Sequence, residues 1–177
     1  MNTSKLKEHK ILKEIKVIFD QNKVTGMSLV GGAVIDILQG RVPKDYDFMC
    51  HYGENDAIKA LKTNGFSFMY DTATSRTYAK GSVIIQLLKT ERRKFDFTIS
   101  KVSYNLEREE LTIDQEAWEN KVLIPNSYTN KEQVLNSLAR IPHWIRKGFR
   151  IKNQTYFSLL NCLNTKAIVI SQGADNS

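Results

Sequence analysis

Apolar residues recur at helical spacing in the first part of the chain. One such stripe, with lysines on the opposite face, predicts an amphipathic helix over residues 4–21. A short apolar run at 28–30 predicts a strand, and helical spacing returns over 33–38 before a glycine. Apolar and polar residues then alternate over 45–50, which predicts a strand with two distinct faces. The N-terminal segment is therefore predicted to contain a strand, a short helix and a second strand in close succession.

Strands dominate the predicted middle of the chain. After a helix over 54–63, the pattern predicts strands at 66–70, 76–80 and 83–88, and a Gly-Ser turn joins the last two as a hairpin. Residues 95–105 fit two periods, because some of their apolar residues alternate and others keep helical spacing. Their assignment stays open between strand and helix.

The C-terminal part of the chain is predicted to be helical. Small elements cover 111–124, and a helix is predicted over 131–140. Pro142 should end or kink that helix, because proline lacks an amide hydrogen and clashes with the preceding turn. A second short helix would then run to Lys147, and one more is predicted over 155–163. These patterns indicate an α/β domain with a helical C-terminal part.

Length and composition limit the class of protein. A chain of 177 residues with 41% apolar and 25% charged residues suits one globular domain. We predict this domain over 1–151 and a helical, partly frayed tail over 152–177. The apolar runs fall far below the ~20 residues of a membrane span, and lysines spread through the first helix argue against a signal peptide. With two widely separated cysteines, the pattern indicates a cytoplasmic protein.

Two carboxylates on one predicted strand are the first candidate for chemistry. Asp45 and Asp47 are two residues apart, so on a strand they point to the same face about 6.6–6.8 Å apart. Two anions so close repel each other, and such a pair normally persists because a cation lies between them. Carboxylate oxygens at a strand end suit magnesium, which takes its remaining ligands from water and phosphate.

A glycine pair upstream of the carboxylates is the second candidate. Gly31 and Gly32 lie between a predicted strand and a predicted helix, where a backbone without side chains can approach phosphates closely. Arg41 and Lys44 flank the carboxylates and are candidate phosphate contacts, although they also suit an ordinary solvated loop. The net charge of +7 is consistent with a polyanionic partner. Together these features predict a site for a nucleoside triphosphate and a metal ion.

At these residues the sequence resembles a known family. Residues 29–36 and 40–47 read LVGGAVID and GRVPKDYD, which resemble the hhGGxVRDxLLGRxxxDxDh signature of class II CCA-adding enzymes and bacterial poly(A) polymerases. Residues 96–105 resemble the family segment RDFTINAxAYD, 119–123 its DLxxKxL, and 140–151 its closing helix. The compact, stand-alone members found in phage genomes are the most similar. The sequence thus resembles members of the polymerase-β-like nucleotidyltransferase superfamily.

The resemblance implies a fold and a mechanism. The implied fold is a polymerase-β-like nucleotidyltransferase domain, with a small mixed sheet, flanking helices and a helical C-terminal part. Asp45 and Asp47 would hold two Mg²⁺ ions, and Asp96 is a candidate catalytic residue, as a ribose contact or a third metal ligand. The nucleoside triphosphate would contact a set of five residues. These are Gly31, Gly32, Arg41, Lys44 and Lys94.

The implied reaction transfers a nucleoside monophosphate to an acceptor hydroxyl, with a tRNA-like RNA 3′ end as the expected acceptor. The expected location is the cytoplasm, or the host cytoplasm for a phage-encoded protein. Two alternatives stay open: modification of a protein or small molecule, and an inert nucleotide- or RNA-binding relic. The relic is suggested by departures from the family pattern. Ile35 replaces an arginine, Gln86 stands where a third acid is expected, and 132–136 lacks the base-selecting residues.

Overall fold

The computed structural model describes residues 3–89, 96–128 and 130–164. These residues form two compact units. The first contains residues up to 89 together with 102–112, and the second contains 96–101 together with the residues from 113 onward. The division predicted at residue 151 remains a prediction. None of the helices in these ranges is long and apolar enough to cross a membrane.

The first unit is built on a mixed sheet. Its strands, within the described residues, are β1 (Met27–Val30), β2 (Tyr46–Cys50), β3 (Ser67–Asp71), β4 (Ser75–Lys80), β5 (Val83–Leu88), β6 (Ser103–Asn105) and β7 (Glu110–Thr112). Their order in the sheet is β3-β4-β5-β2-β1-β6-β7. The β2–β5 pair is parallel, and the other neighbouring strands are antiparallel. This arrangement places β2 at the centre of the sheet.

Helices cover the apolar face of this sheet. They are α1 (Ser4–Glu8), α2 (Lys10–Gln21), α3 (Gly32–Leu38) and α4 (Glu54–Thr63). Along β2, Tyr46, Phe48 and Cys50 are buried and alternate with half-buried residues, as a strand with one covered face requires. Phe48 meets Phe19 of α2 edge to face, with the ring centroids 5.7 Å apart. Part of the core of the unit therefore lies between β2 and α2, and the other face of β2, with Asp47 and Met49, is half-buried.

The second unit is helical. It contains a 3₁₀ helix (Thr98–Lys101), α5 (Gln115–Asn120), α6 (Lys131–Arg146) and α7 (Asn153–Asn164). Asn130 caps α6 by accepting a hydrogen bond from the Gln133 amide, and α7 packs against α6. Trp144 is almost fully buried and meets Phe149 edge to face. The aromatic residues near the end of α6 thus form the core of this unit.

The predicted fold class and most predicted elements are confirmed, with three differences. The helix predicted over 4–21 is two helices, because the backbone of His9 is extended and its Nδ1 accepts the Leu12 amide as a cap for α2. The undecided segment contains the 3₁₀ helix followed by β6, and residues 90–95 lie outside the described ranges. The prediction that a helix ends before Pro142 was wrong, since α6 continues past this residue to Arg146.

Candidate nucleotide and metal site

Strand β2 places the two predicted carboxylates. Tyr46 and Phe48 point into the core, and Asp45 and Asp47 are half-buried, in the alternation that puts the acids on the opposite face. Asp45 immediately precedes the strand, and Asp47 is within it. Because β2 is central and paired on both sides, its backbone holds the two acids in a fixed register.

Gln86 lies beside this pair. Strand β5 runs parallel to β2, and Gln86 is in register with Asp47. Its Nε2 donates a hydrogen bond to Oδ2 of Asp45 over 3.3 Å. The neutral amide therefore contacts the carboxylates at the position where the family resemblance leads one to expect a third acid. No group of three or more His, Cys, Asp or Glu side chains in the described ranges is arranged to hold a metal ion.

The donor set at this site suits a hard divalent cation. Asp45 and Asp47 provide carboxylate oxygens, and the amide of Gln86 contains a further oxygen. Magnesium binds through one or two protein carboxylates and completes its shell with water and substrate phosphate. Two acids and a carbonyl therefore fit an ion that is shared with a nucleotide, whereas an all-protein metal cage would need more ligands.

The glycine turn adopts a backbone that requires glycine. Gly31 caps α3 with φ +67° and ψ −136°, a combination that side chains with a Cβ rarely adopt. Its amide donates to the carbonyl of Val102 over 2.9 Å, so this N–H already has a partner within the protein. A phosphate contact of this loop would therefore have to use other amides than that of Gly31.

The predicted basic contacts differ in their surroundings. Arg41 forms an ion pair with Asp36, with 3.1 Å between Nη2 and Oδ1, and also contacts Gln39. This pairing keeps the guanidinium at the end of α3 and partly neutralises its charge. Lys44 is exposed in the loop before Asp45. Lys94, the remaining predicted contact, lies outside the described residues.

Ile35 shows what the departure from the family arginine does locally. Its side chain is fully buried in α3, with 0% exposure. The residue contributes to the apolar core and offers no charge to a ligand. The structure therefore gives this position a packing role.

Asp96 lies in the second unit and is held by several donors. Its Oδ2 accepts hydrogen bonds from Trp144 Nε1 at 2.9 Å and Arg140 Nε at 3.3 Å. Its Oδ1 accepts the Phe97 amide at 2.9 Å. Burial, the largest single effect, raises the pKa of the carboxyl group, but the hydrogen bonds from Trp144, Ser100 and Phe97 and the charge of Arg140 lower the pKa below its usual value overall.

The pairing of Asp96 with Trp144 could not be predicted from the sequence. These residues are 48 positions apart, and neither has a periodic signal that points to the other. His143, adjacent to Trp144, is also perturbed: burial, followed by the charges of Arg140 and Lys147, lowers its pKa to about 4. The Nε2 atom of His143 is buried and has no hydrogen-bond partner in the described part of the chain.

Solved structures with a similar fold include CCA-adding enzymes and a tRNA-processing enzyme. No protein-family model matches the sequence, and no curated protein matches it significantly. A Thermotoga maritima CCA-adding enzyme in complex with tRNA superposes with a TM-score of 0.66 at 19% identity, over 87% of this chain and 42% of that one. A CCA-adding enzyme with CTP gives a TM-score of 0.66 at 21% identity, over 89% of this chain and 42% of that one.

A third similar structure has a nucleotide and an RNA bound together. It is a tRNA nucleotidyltransferase with a primer tRNA and an incoming ATP analogue, and it gives a TM-score of 0.61 at 17% identity, over 85% of this chain and 50% of that one. The chain spans about half the length or less of these proteins. At this level of identity the comparisons establish the fold, which is the nucleotidyltransferase fold of CCA-adding enzymes.

Proposed function

We propose that the chain is a magnesium-dependent nucleotidyltransferase that transfers a nucleoside monophosphate from a nucleoside triphosphate to an acceptor hydroxyl. The observation that carries this proposal is the placement of Asp45 and Asp47 on the face of the central strand β2 that lies opposite the buried Tyr46 and Phe48. The glycine turn at Gly31 precedes this strand in the chain. The same fold occurs in CCA-adding enzymes bound to CTP and to ATP.

The roles of the residues follow from their chemistry. Asp45 and Asp47 would hold the two Mg²⁺ ions, which supply the activation of the acceptor hydroxyl and charge stabilisation at the phosphates. The backbone from Gly32 onward would bind the triphosphate through amide donors. Lys44 would add a positive charge beside the carboxylates, and Arg41 would reach a phosphate only by leaving Asp36. Lys94 and Asp96 remain proposed contacts of the nucleotide.

The acceptor that best fits the surface is RNA. Between residues 131 and 152 the chain has six basic residues and one acidic residue. Arg146, Arg150 and Lys152 among them are exposed. Nearby in sequence on α7, Tyr156 and Phe157 are 40% and 60% exposed. Basic groups combined with exposed aromatic rings suit an RNA strand, because the first attract phosphates and the second can stack on bases.

Charge reversal tests the RNA acceptor. Arg146→Glu together with Lys152→Glu should raise KM for an RNA acceptor at least severalfold and leave KM for the nucleotide unchanged. Lys59→Glu together with Lys62→Glu on α4 is the matched control, because it changes charge equally at exposed residues of the first unit. If both pairs behave alike, the RNA contact does not lie on this part of the second unit.

Two other functions need a direct comparison with RNA transfer. Nucleotidylation of a protein or small molecule would use the same carboxylate pair and the same triphosphate, and would differ only in the acceptor hydroxyl. An inert binding protein is consistent with Gln86 beside the carboxylates. Incubation with each labelled nucleoside triphosphate, Mg²⁺ and a total cell extract separates the three. Label in RNA supports the proposal, label in protein or a small molecule supports the first alternative, and no label supports the second.

The cytoplasm is the proposed location, since nucleoside triphosphates and RNA 3′ ends are both available there.

A further inference from the structure

A row of polar side chains crosses three strands of the sheet at the carboxylate site. Gln86 of β5 is in register with Asp47 of β2 on one side and with Thr77 of β4 on the other. Side chains of residues directly opposite each other on neighbouring strands lie on the same face and within contact distance. Gln86 is therefore placed between the carboxylates and the Thr77 hydroxyl.

Thr77 is unusual in this row. It is 1% exposed, and its Oγ1 has no hydrogen-bond partner among the residues that the structure describes. A buried hydroxyl without a partner is destabilising, because it has lost its hydrogen bonds to water without a replacement. Ser75, two residues earlier on the same face of β4, is also buried, but its hydroxyl pairs with Thr72 Oγ1 at 3.2 Å. Among the described residues, the buried hydroxyl of Thr77 thus lacks a hydrogen-bond partner, whereas the hydroxyl of Ser75 has one.

The side-chain amide of Gln86 can form a hydrogen bond with either neighbour, in two different orientations. Its Nε2 donates to Asp45 at 3.3 Å. The terminal torsion of a glutamine side chain is broad and soft, so the amide can turn at low energetic cost. When it turns, the donor leaves the carboxylate and the carbonyl oxygen takes its place. When a cation binds the carboxylate, the cation neutralises its negative charge in place of the amide hydrogen. The cation also repels the partial positive charge of that hydrogen.

We propose that the side-chain amide of Gln86 has two orientations, and that in the second it donates a hydrogen bond to Thr77. In the cation-free protein Gln86 Nε2 donates to Asp45. When a divalent cation binds Asp45 and Asp47, Gln86 turns its Oε1 toward the cation and donates Nε2–H to Oγ1 of Thr77. Glutamine at this position is then a functional group in its own right, because glutamate has no hydrogen to give to Asp45 or Thr77. The inference rests on the proposed cation site.

Cation binding alone tests the inference, without turnover. The probe is Mn²⁺, whose free concentration is measured by electron paramagnetic resonance in the absence of nucleotide. Thr77→Val keeps the shape of the side chain and removes its hydroxyl, and it should weaken Mn²⁺ binding about 2–13-fold, the loss of one neutral hydrogen bond. Ser75→Ala is the matched control, because it also removes a buried hydroxyl from this face of β4, but one that already pairs with Thr72. This control should bind Mn²⁺ like the wild type.

A double-mutant cycle links the effect to Gln86. Gln86→Met keeps the length of the side chain and removes the amide, so Thr77→Val should have no further effect on Mn²⁺ affinity in that background. The side-chain amide resonances of Gln86 should also shift on titration with Mg²⁺ in the wild type, and shift differently in Thr77→Val. Stability of the cation-free Thr77→Val protein should equal or exceed that of the wild type, since the unpaired hydroxyl is gone.

The outcomes separate this inference from the proposed function. If the wild type binds Mn²⁺ and Thr77→Val binds it equally well, the inference is overturned and the cation site stands. If Thr77→Val weakens binding equally with and without the amide at position 86, Gln86 is not the partner and the inference is again wrong. If the wild type shows no Mn²⁺ binding that Asp45→Asn removes, the cation site fails and the inference fails with it.

Discussion

Trp144 donates its indole Nε1–H to Oδ2 of Asp96 over 2.9 Å and so connects α6 to the start of the 3₁₀ helix. The carbonyl oxygen of Asp96 is also used, since it accepts hydrogen bonds from the hydroxyl groups of Tyr128 and, at 3.4 Å, Ser137. Trp144 is 1% exposed, so its indole N–H cannot reach water and depends on this carboxylate for a hydrogen bond. Asp96 therefore joins several parts of the second unit whatever its role toward a nucleotide.

Substitution of Asp96 should lower stability more than the loss of a simple helix cap. We expect Asp96→Ala to cost about 2–4 kcal/mol, because it leaves buried donors without a partner. The loss of a cap alone would cost about 0.5–2 kcal/mol. Urea unfolding measures the difference, and Trp144→Phe is the control that removes one donor and keeps the carboxylate. An Asp96→Ala protein as stable as the wild type would contradict the joining role.

Kinetics of the same variant test the catalytic role of Asp96, which stays a prediction. A ribose contact predicts a higher KM for the nucleotide and weaker discrimination against deoxyribonucleotides. A third metal ligand predicts a lower kcat, because an interaction needed in the transition state is lost. Unchanged kinetics in the folded fraction would leave Asp96 with its structural contacts only.

The stability of the protein should fall as the pH falls from 6.5 toward 4. Burial lowers the pKa of His143 from 6.5 to about 4, so the unfolded state takes up a proton before the folded state does. The contribution is therefore complete above pH 6.5 and is lost as pH falls, by about 1–2 kcal/mol after solvent screening of a half-buried ring. His143→Phe should flatten this part of the profile in thermal melts, whereas His51→Phe, at an exposed position, should not.

A second decline should follow at lower pH. The folded-state pKa of Asp96 is lowered from 3.8, so its stabilising contribution is present above that value and is lost as pH falls through the lower folded value. Asp96→Asn removes this titration. The difference between the unfolding free energies of the wild type and the variant should therefore be constant above about pH 5 and decrease below it. A parallel decline in both proteins would show that other groups cause the acid transition.

Neutralising either carboxylate of the proposed cation site should abolish transfer and preserve the fold. We expect Asp45→Asn and Asp47→Asn to retain at most a few per cent of wild-type turnover at saturating Mg²⁺. Without metal both should melt at or above the wild-type temperature, because one of two like charges is gone. Asp20→Asn, an exposed acid of α2 paired with Lys16, is the control. Substantial turnover in either site variant would remove the metal assignment.

Gly31→Ala should disturb the turn that precedes α3. The backbone at φ +67° and ψ −136° is strained for any residue with a Cβ, at a cost of about 1–3 kcal/mol. Gly81→Ala in the β4–β5 hairpin is the matched control, because φ is also positive there and its Cβ would meet no atom within 4 Å. We expect Gly31→Ala to lose more stability and more nucleotide affinity than Gly81→Ala. Urea unfolding measures the first loss, and equilibrium binding of a labelled nucleotide measures the second. Equal losses would show that the turn at Gly31 has no special role.

Introducing at position 35 the arginine of the CCA-adding enzyme signature should not create a ligand contact. Ile35 has 0% exposure, and burial of an unpaired guanidinium is strongly unfavourable. Ile35→Arg should therefore lower the unfolding free energy by several kcal/mol, whereas Ile35→Val should cost about 0.5–1.5 kcal/mol. A stable Ile35→Arg protein with tighter nucleotide binding would show that this side chain can reach the site.

The sequence by itself determined the elements around the candidate site. The alternation over 45–50 is a local pattern, and so is the glycine pair before α3. Both can therefore be recognised in the sequence without knowledge of the tertiary structure. The shared face of Asp45 and Asp47 also follows from the strand period alone. His9 and Pro142 were harder to interpret, because capping at a break and continuation of a helix through proline depend on what packs around them.

Only the tertiary structure decided which distant residues meet. The parallel pairing of β2 with β5 sets Gln86 beside the carboxylates, and the β4–β5 register sets Thr77 beside Gln86. The contact of Asp96 with Trp144 likewise joins residues far apart in the chain. Periodicity in a sequence records the face on which a residue lies, but it does not record strand order or register. Those are chosen by the burial of the whole apolar surface, which couples all elements at once.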